Sequence, residues 1–483
     1  MTKKIVSRYA PSPTGYMHIG NLRTALYSFL FARHSDGKFI LRIEDTDRTR
    51  FVEGAEDVIN QTLKIANLTY DEGPDKGGEN GPYRQSERKE IYLEYAQKLI
   101  DEGKAYYCFC SKEELEAMND GENSGYNGRC RERSREEVLH LLSTNTPFVV
   151  RFKMNHEGTT TYHDNVFGDI SIENNTLQDI VLIKSDGYPT YNFAHIIDDH
   201  LMGVTHVVRG NEYITSTPQY VQIHEALGWE LPEYYHLPLI MGKDEDGNVS
   251  KLSKRHGAVS FADLTALGYL PEAIINYVAL LGWHPDDDEQ EIFSLEELIK
   301  IFNPSHIRKS AAIFDYDKLK WMNAKYISAL NLSEFKEIAM PYIERVLTNE
   351  VADFDCLLGL LQPRIQILSE IPEKIEFFQA LPEFDINLLA NDKKKTTLES
   401  AREILKTALA KLDLVQDWTN DVLFTELNAV AEQLGYKSMS VMWVIRLAVS
   451  GNVVTVGGAT EIMQVLGKAE SLTRLATTLE RLG

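Results

Sequence analysis

His18 and Asn21, in the tetrapeptide His18-Ile19-Gly20-Asn21, are the first residues of the chain whose types suggest chemistry. They follow the turn-forming Pro11-Ser12-Pro13-Thr14-Gly15 and precede an amphipathic run of Leu22, Ala25, Leu26, Phe29 and Leu30. That puts them at the expected start of a helix, where unpaired N–H groups and the helix dipole favour a polyphosphate. A cationic or hydrogen-bonding His18 can hold phosphate oxygens as charge shifts during a displacement, and Gly20 lets a flat base approach the backbone. Taken alone, the tetrapeptide reads equally well as a surface histidine in a sheet-to-helix turn. Far downstream, Lys251 and Lys254 stand three apart with Ser253 between them. Such a pair can close over a triphosphate and neutralise departing pyrophosphate, or form a solvated basic loop. Arg8 and Arg209 can grip a carboxylate through a two-pronged charge-assisted pair. The competing reading for both arginines is a structural ion pair with Glu44 or Asp198.

These residues need elements to converge on. Ile5–Ala10 is a short β run, the amphipathic segment a helix, and Phe39–Asp47 a second β run ending in carboxylates. The whole is a parallel βαβ unit, whose strand ends would carry Arg8, Ser12 and Glu44 to a ligand crevice. The spacing predicts a helix from Val52 to about Ile65 and another ending near Gly103. Ile180–Lys184 reads as a resumption of the sheet, followed by Tyr188–His195 and the β run Thr205–Arg209. Ser216-Thr217-Pro218 opens a helix that closes near Gly228. Between the halves, from about Tyr106 to Asn175, the composition changes to a Cys-containing, Gly/Asn/Arg-rich stretch (Gly121 to Ser134) followed by β runs. Gly242–Asn248 is a turn-rich loop leading into Lys251. From about Leu330 the patterning is almost wholly helical, as in Ala401–Leu412 and Leu423–Leu434.

The chain has 483 residues and a net charge of −22. Its length suits several domains, and its acidity counts mildly against a nucleic-acid partner unless basic residues gather on one face. Four cysteines in such a chain do not make a disulfide framework and fit a reducing cytosol. No signal peptide and no run able to span a bilayer is found, so a soluble cytoplasmic protein is expected.

The two motifs together carry a resemblance. Pro11–Gly15 with His18-Ile19-Gly20-Asn21 resembles the first signature of class I aminoacyl-tRNA synthetases, and Lys251-Leu252-Ser253-Lys254-Arg255 resembles the second. Arg42-Ile43-Glu44-Asp45-Thr46-Asp47 is similar to the glutamyl/glutaminyl branch, and the likeness to bacterial-type glutamyl-tRNA synthetases runs end to end. It implies an α/β fold: a class I synthetase Rossmann-type parallel sheet with an α+β insertion, followed by an all-α anticodon-binding region. The implied boundaries are 1–105 and 179–241 for the halves of the nucleotide-binding fold, with 106–178 an insertion contacting the tRNA acceptor end. Residues 242–329 are the implied stem-contact region and 330–483 the anticodon-binding region. The implied activity is ATP-dependent attachment of L-glutamate to tRNA-Glu through a glutamyl-adenylate, with tRNA-Gln a further acceptor left open. Carried over by position, the glutamate pocket is Arg8, Ala10, Ser12, Glu44, Tyr191, His195 and Arg209. The ATP site is His18, Gly20, Asn21, Glu212 and Lys254, with Lys251 supporting and Mg2+ accompanying the nucleotide. A monomer with no membrane partner is expected.

Some family members bind zinc in the insertion through three cysteines and a final histidine. Here Cys108, Cys110 and Cys130 are followed by Glu132 where that histidine would stand. A three-Cys, one-Glu structural site is uncommon, and the favoured reading is a zinc remnant whose cysteines act as small apolar residues. The rivals are a glutaminyl enzyme, whose anticodon part is a β-barrel, a shorter paralogue that glutamylates a modified base and lacks the anticodon domain, and a catalytically silent tRNA-binding protein.

Overall fold

The structure, a computed structural model, describes residues 4–15, 17–47, 52–118, 126–244, 246–287 and 289–483. Tyr16 of the first turn, residues 121–125 of the polar stretch and Glu245 of the loop before Lys251 lie outside them. Two compact units emerge, one of residues 1–265 with 274–316 and one of residues 266–273 with 317–483. The region expected at 242–329 is therefore divided between them.

The first unit runs β1 (Val6–Tyr9), α1 (Ile19–His34), β2 (Lys38–Leu41), α2 (Ala55–Ile65), α3 (Lys89–Asp101) and β3 (Ala105–Cys108). It continues with α4 (Lys112–Ala117), α5 (Arg135–Ser143), β4 (Val149–Phe152), β5 (Thr159–Asp164), β6 (Gly168–Glu173) and β7 (Val181–Ile183). Then come α6 (Tyr191–Leu201), β8 (His206–Gly210), α7 (Thr217–Leu227), β9 (Glu233–Leu237), β10 (Ile240–Lys243), β11 (Val249–Lys251) and β12 (Ala312–Ile313). The central six-stranded sheet has the order β2-β1-β8-β9-β5-β6. It is parallel from β2 to β5 and ends in the antiparallel β5–β6 hairpin.

Helix α1 is buried along Leu22, Leu26, Phe29 and Leu30, and the Tyr27 hydroxyl donates to the Ala279 carbonyl at 3.0 Å. Burying such side chains contributes roughly 1.5–3 kcal/mol each, which fixes the helix start beneath the first motif. Helix α7 forms as its residues direct, with Pro218 in the first turn and Gly228 capping at φ 72°.

Two strands join partners other than those expected. Strand β7 does not resume the central sheet; it pairs with β4 in a separate sheet of order β3-β4-β7. The β5–β6 hairpin, expected inside the insertion, instead lies on the central sheet, with Asp164 opposite Tyr234. Periodicity fixes that a strand forms and which face is buried, not which edge it joins. Strand β5 alternates exposed and buried residues, the pattern of a sheet margin open on one face.

The second unit is helical. Leu332–Ile343, Phe354–Leu361, Ile371–Gln379, Leu398–Leu412, Asn420–Leu434, Ser438–Ser450 and Ala459–Arg481 pack on one core that includes Phe335, Leu361, Ile404, Leu427, Val444 and Ile462. The last helix kinks at Gly467, where φ is 77° and a Cβ would lie 2.8 Å from that of Ala352. No β-barrel occurs in this unit among the described residues. No described helix is long and apolar enough to cross a membrane.

Candidate active site

The parallel strands end on one cavity of about 1240 Å³ in the first unit. Its wall takes in Arg8, Ala10, Ser12, His18, Gly20, Asn21, Glu44, Tyr191, Arg209, Glu212, Lys251 and Lys254. His195, the remaining expected residue, stands behind Tyr191, with the two rings stacked at 4.7 Å. Helical spacing explains the pair, since Tyr191, His195 and Asp199 follow one another at intervals of four on α6 and share a face. The His195 Nδ1 lies 2.7 Å from the Tyr191 carbonyl, and burial holds its pKa well below the ordinary value, so the ring is neutral.

At the mouth of α1, His18 occupies the N-cap and its Nδ1 accepts from the Gly20 N–H at 3.2 Å. Burial and the nearby Lys251 lower its pKa, against a hydrogen bond with the Leu252 backbone. Without a ligand the ring is thus biased toward its neutral, hydrogen-bonding form. The second motif lies directly across. The Ile19 N–H donates to the Val259 carbonyl at 2.9 Å, and His18 bridges Ser260. Strand β11 brings Lys251 beside Met241, and Lys254 follows in a 3-10 turn. Gly20 is not demanded by packing, since a Cβ there would touch only His18 at 3.6 Å; the space above it belongs to the cavity.

Beneath the cavity lies an ion-pair network that the motifs do not announce. Arg42 is fully buried, with Nη1 2.7 Å from Asp199, Nη2 3.1 Å from Glu44 and Nε 3.6 Å from Asp198. Arg8 donates from Nε to Asp199 at 3.0 Å and from Nη1 to the Val208 carbonyl at 3.2 Å. Asp198 is further held by Arg88 at 2.7 Å, the Tyr92 hydroxyl at 2.9 Å and Gln85 Nε2 at 2.9 Å. Burial works against the charges of Arg42 and Asp199, but their mutual attraction outweighs it and both stay ionised. Glu44 fares differently: burial raises its pKa to about 7 although Arg42 and Arg8 pull it down. The ion-pair alternative thus holds for Arg8, with Asp199 rather than Glu44 or Asp198 as its partner.

Arg209 has another environment. It is buried under the rings of Tyr213, Tyr220 and Tyr234, each 5.1–5.3 Å away, and among the described residues no carboxylate pairs with it. Its Nε donates to His236 at 3.0 Å and its Nη2 to Thr217 at 2.7 Å. Its Nη1 is buried with no hydrogen-bond partner. A buried cationic donor left open beside a cavity is costly unless a ligand anion completes it. Gln85 Oε1 is a second such group, an acceptor without a partner on the same wall. Sequence reasoning gave no role to Gln85, Asp199 or His236 and took Arg42 only as part of a motif; its nearest approach to the network was the ion pair suggested for Arg8 with Glu44 or Asp198.

Cys108, Cys110 and Cys130 bring their sulfurs within 4.8 Å of one another. Glu132 is turned away and ion-paired with Lys153 at 3.0 Å, and the Arg133 guanidinium instead lies 3.5 Å from the Cys130 sulfur. Among the described residues no histidine or carboxylate joins the three sulfurs as a fourth ligand.

The catalytic-domain family of class I tRNA synthetases for glutamate and glutamine matches residues 4–321, and an anticodon-binding domain family matches residues 332–479. A glutamate–tRNA ligase of Clostridium botulinum is 51% identical, covering 100% of this chain and 99% of that protein. One from Clostridium novyi is 50% identical, covering 99% and 98%. Among solved structures, a glutamate tRNA ligase from Elizabethkingia meningosepticum in complex with its amino acid superimposes with a TM-score of 0.92, at 35% identity and full coverage of both chains. The glutamate-tRNA synthetase of Elizabethkingia anophelis gives 0.90 at 36% identity, covering 99% of this chain and 100% of that one.

Proposed function

This chain belongs to the class I glutamate–tRNA ligases, and from that premise we propose which of its residues carry the reaction. The activity joins glutamate to tRNA in translation, with ATP as the activating substrate. Arg209 takes the side-chain carboxylate of glutamate through its open Nη1, and Arg8 adds positive potential from the floor. Glu44 receives the α-ammonium, while Ser12, the Ala10 backbone and Tyr191, backed by His195, orient the remainder. ATP enters with its Mg2+ as substrate: the base over Gly20, the phosphates against His18 and Asn21, with Glu212 beside the nucleotide.

One α-carboxylate oxygen attacks the α-phosphorus in line, and the bond to pyrophosphate breaks as the adenylate forms. Lys251 and Lys254 neutralise the departing charge. The terminal ribose hydroxyl of tRNA then attacks the adenylate carbonyl and AMP leaves. No protein nucleophile is needed; positioning and phosphate-charge stabilisation carry the rate. The observation that supports this reading is the unpartnered buried Nη1 of Arg209, in a cavity walled on one side by both signature motifs. The protein's expected state is a cytoplasmic monomer.

The test is charging of purified tRNA-Glu and tRNA-Gln with labelled glutamate, with labelled glutamine as control. Glutamate on tRNA-Glu and no glutamine on either is the expected result; glutamate on tRNA-Gln as well would mean relaxed tRNA choice. Arg209→Ala should lose glutamate preference by roughly 10²–10⁴ while remaining folded, because a neutral site cannot reject glutamine. A variant that charges glutamate as selectively as the parent would refute the assignment.

A further inference from the structure

Three neighbouring strands of the central sheet each contribute one polar residue to a buried row. Arg209 on β8 lies in register with His236 on β9, and Asp164 ends β5, the next strand along. His236 and Asp164 are fully buried. Arg209 Nε is 3.0 Å from His236 Nε2, and His236 Nδ1 is 2.7 Å from Asp164 Oδ2. An arginine N–H can only donate, so His236 Nε2 must be the bare nitrogen and Nδ1 must carry the proton. That tautomer is the one the carboxylate selects. Asp164 is itself fixed: Oδ1 accepts from the Val166 and Phe167 N–H groups at 3.0 and 2.7 Å, and Oδ2 from the His236 N–H at 3.1 Å. Thr217 completes the clamp, accepting from Arg209 Nη2 and donating to the Tyr213 carbonyl at 2.7 Å.

We propose that Asp164 and His236 are positioning residues that set glutamate specificity, by holding the Arg209 guanidinium edge-on so that Nη1 alone is presented to the substrate. This rests on the reading of Arg209 as the ligand of the side-chain carboxylate. The device answers a particular difficulty. A guanidinium enclosed by three tyrosine rings can rotate in its own plane without losing those ring contacts. An acceptor at Nε and another at Nη2 remove that freedom, and a carboxylate can then meet a fixed donor. Burial lowers the pKa of His236, with Arg209 adding to the effect and Asp164 opposing it, so the bare nitrogen persists at neutral pH.

Asp164→Asn tests this at a single atom. The asparagine oxygen can still serve Val166 and Phe167, but its NH2 would replace the acceptor at Oδ2, take that partner from the His236 N–H and turn the imidazole tautomer over, setting an N–H against Arg209 Nε. His236→Leu removes the acceptor outright, and His236→Gln restores one at the place of Nε2. Steady-state charging of tRNA-Glu should show the KM for glutamate up by on the order of tenfold or more in Asp164→Asn and His236→Leu. Glutamate-over-glutamine selectivity should fall in parallel, the KM for ATP should stay within twofold, and His236→Gln should recover most of the loss. An equal loss in both KM values, or no recovery in His236→Gln, overturns the proposal as general damage. If Arg209→Ala itself leaves selectivity intact, the underlying assignment of Arg209 fails. If Arg209→Ala loses selectivity and Asp164→Asn does not, only the positioning role fails. Should His236→Leu not fold, Asp164→Asn and His236→Gln still separate a positioning role from general damage.

Discussion

Glu44 shows how much of this site is decided by a single titration. Its carboxyl group is buried, and burial raises its pKa to about 7 in spite of Arg42 at 3.1 Å. The group binds a proton more tightly folded than unfolded, where its value is near 4.5. Its contribution to stability is therefore fully present below about pH 4.5 and is lost as pH rises through 7, on the order of 3 kcal/mol. With Glu44 as the proposed ligand of the α-ammonium, function should run the opposite way, because an ammonium group binds the carboxylate and not the acid. Glutamate affinity, measured by equilibrium binding, should weaken as pH falls below about 7, by up to tenfold per unit, and level off above it. Glu44→Gln should bind more weakly and show no such inflection. A parent enzyme with flat affinity from pH 6 to 8 would mean that the ammonium group sits elsewhere. His18 is the complementary case: the signature histidine is readable as a phosphate ligand, but its neutrality arises from burial and from Lys251, and both need the second motif folded across it.

The elements explain which parts of the site could be read in advance. Helices α2 and α7 and the C-terminal helices follow from spacing, caps and breakers, all of which are local. The memberships of β5 and β7 do not, because a strand's partner is chosen by chain lying far away in sequence. His236 was hidden for that reason: its meaning comes from register with Arg209 and from a carboxylate on β5. The turn that ends β8 carries a sharper constraint. A Cβ on Gly210 would collide with the Glu212 carboxylate, which is folded back over that residue on the cavity wall. Glu212 is exposed and can swing away, so Gly210→Ala should leave the melting temperature nearly unchanged. It should raise the KM for ATP several-fold while the KM for glutamate moves little, since the displaced group is the one proposed to stand beside the nucleotide. Equal increases in both constants would place Glu212 at the glutamate instead.

At the scale of the whole chain, the families matched meet near residue 321, and the sequence suggests a break near Leu330. The packing divides differently. Residues 266–273, enclosed in sequence by the first unit, belong to the helical one, and Leu270 and Ala273 sit in its core with Phe335, Leu361 and Ile371. The Leu270 N–H donates to Asn323 Oδ1 at 2.8 Å, and the Gly268 carbonyl accepts from the Leu368 N–H at 3.1 Å. No local pattern distinguishes Leu270 from the apolar residues of the adjoining helix Pro271–Ala279, whose Ile275 and Val278 belong to the first unit. Burial in the helical core is what separates them, and it makes Leu270 a reporter of that unit's stability. Leu270→Ala should destabilise the helical unit by about 2–5 kcal/mol through lost contacts and the cavity left behind. Native-state hydrogen exchange should show the loss in Phe335, Leu358 and Leu361, with the protection of β1 and β8 preserved because they belong to a different core. Adenylate formation, whose proposed residues all lie in the first unit, should survive the substitution. If β1 and β8 lost protection to the same extent, the two units would unfold as one, and the division near Thr265 would have no energetic content.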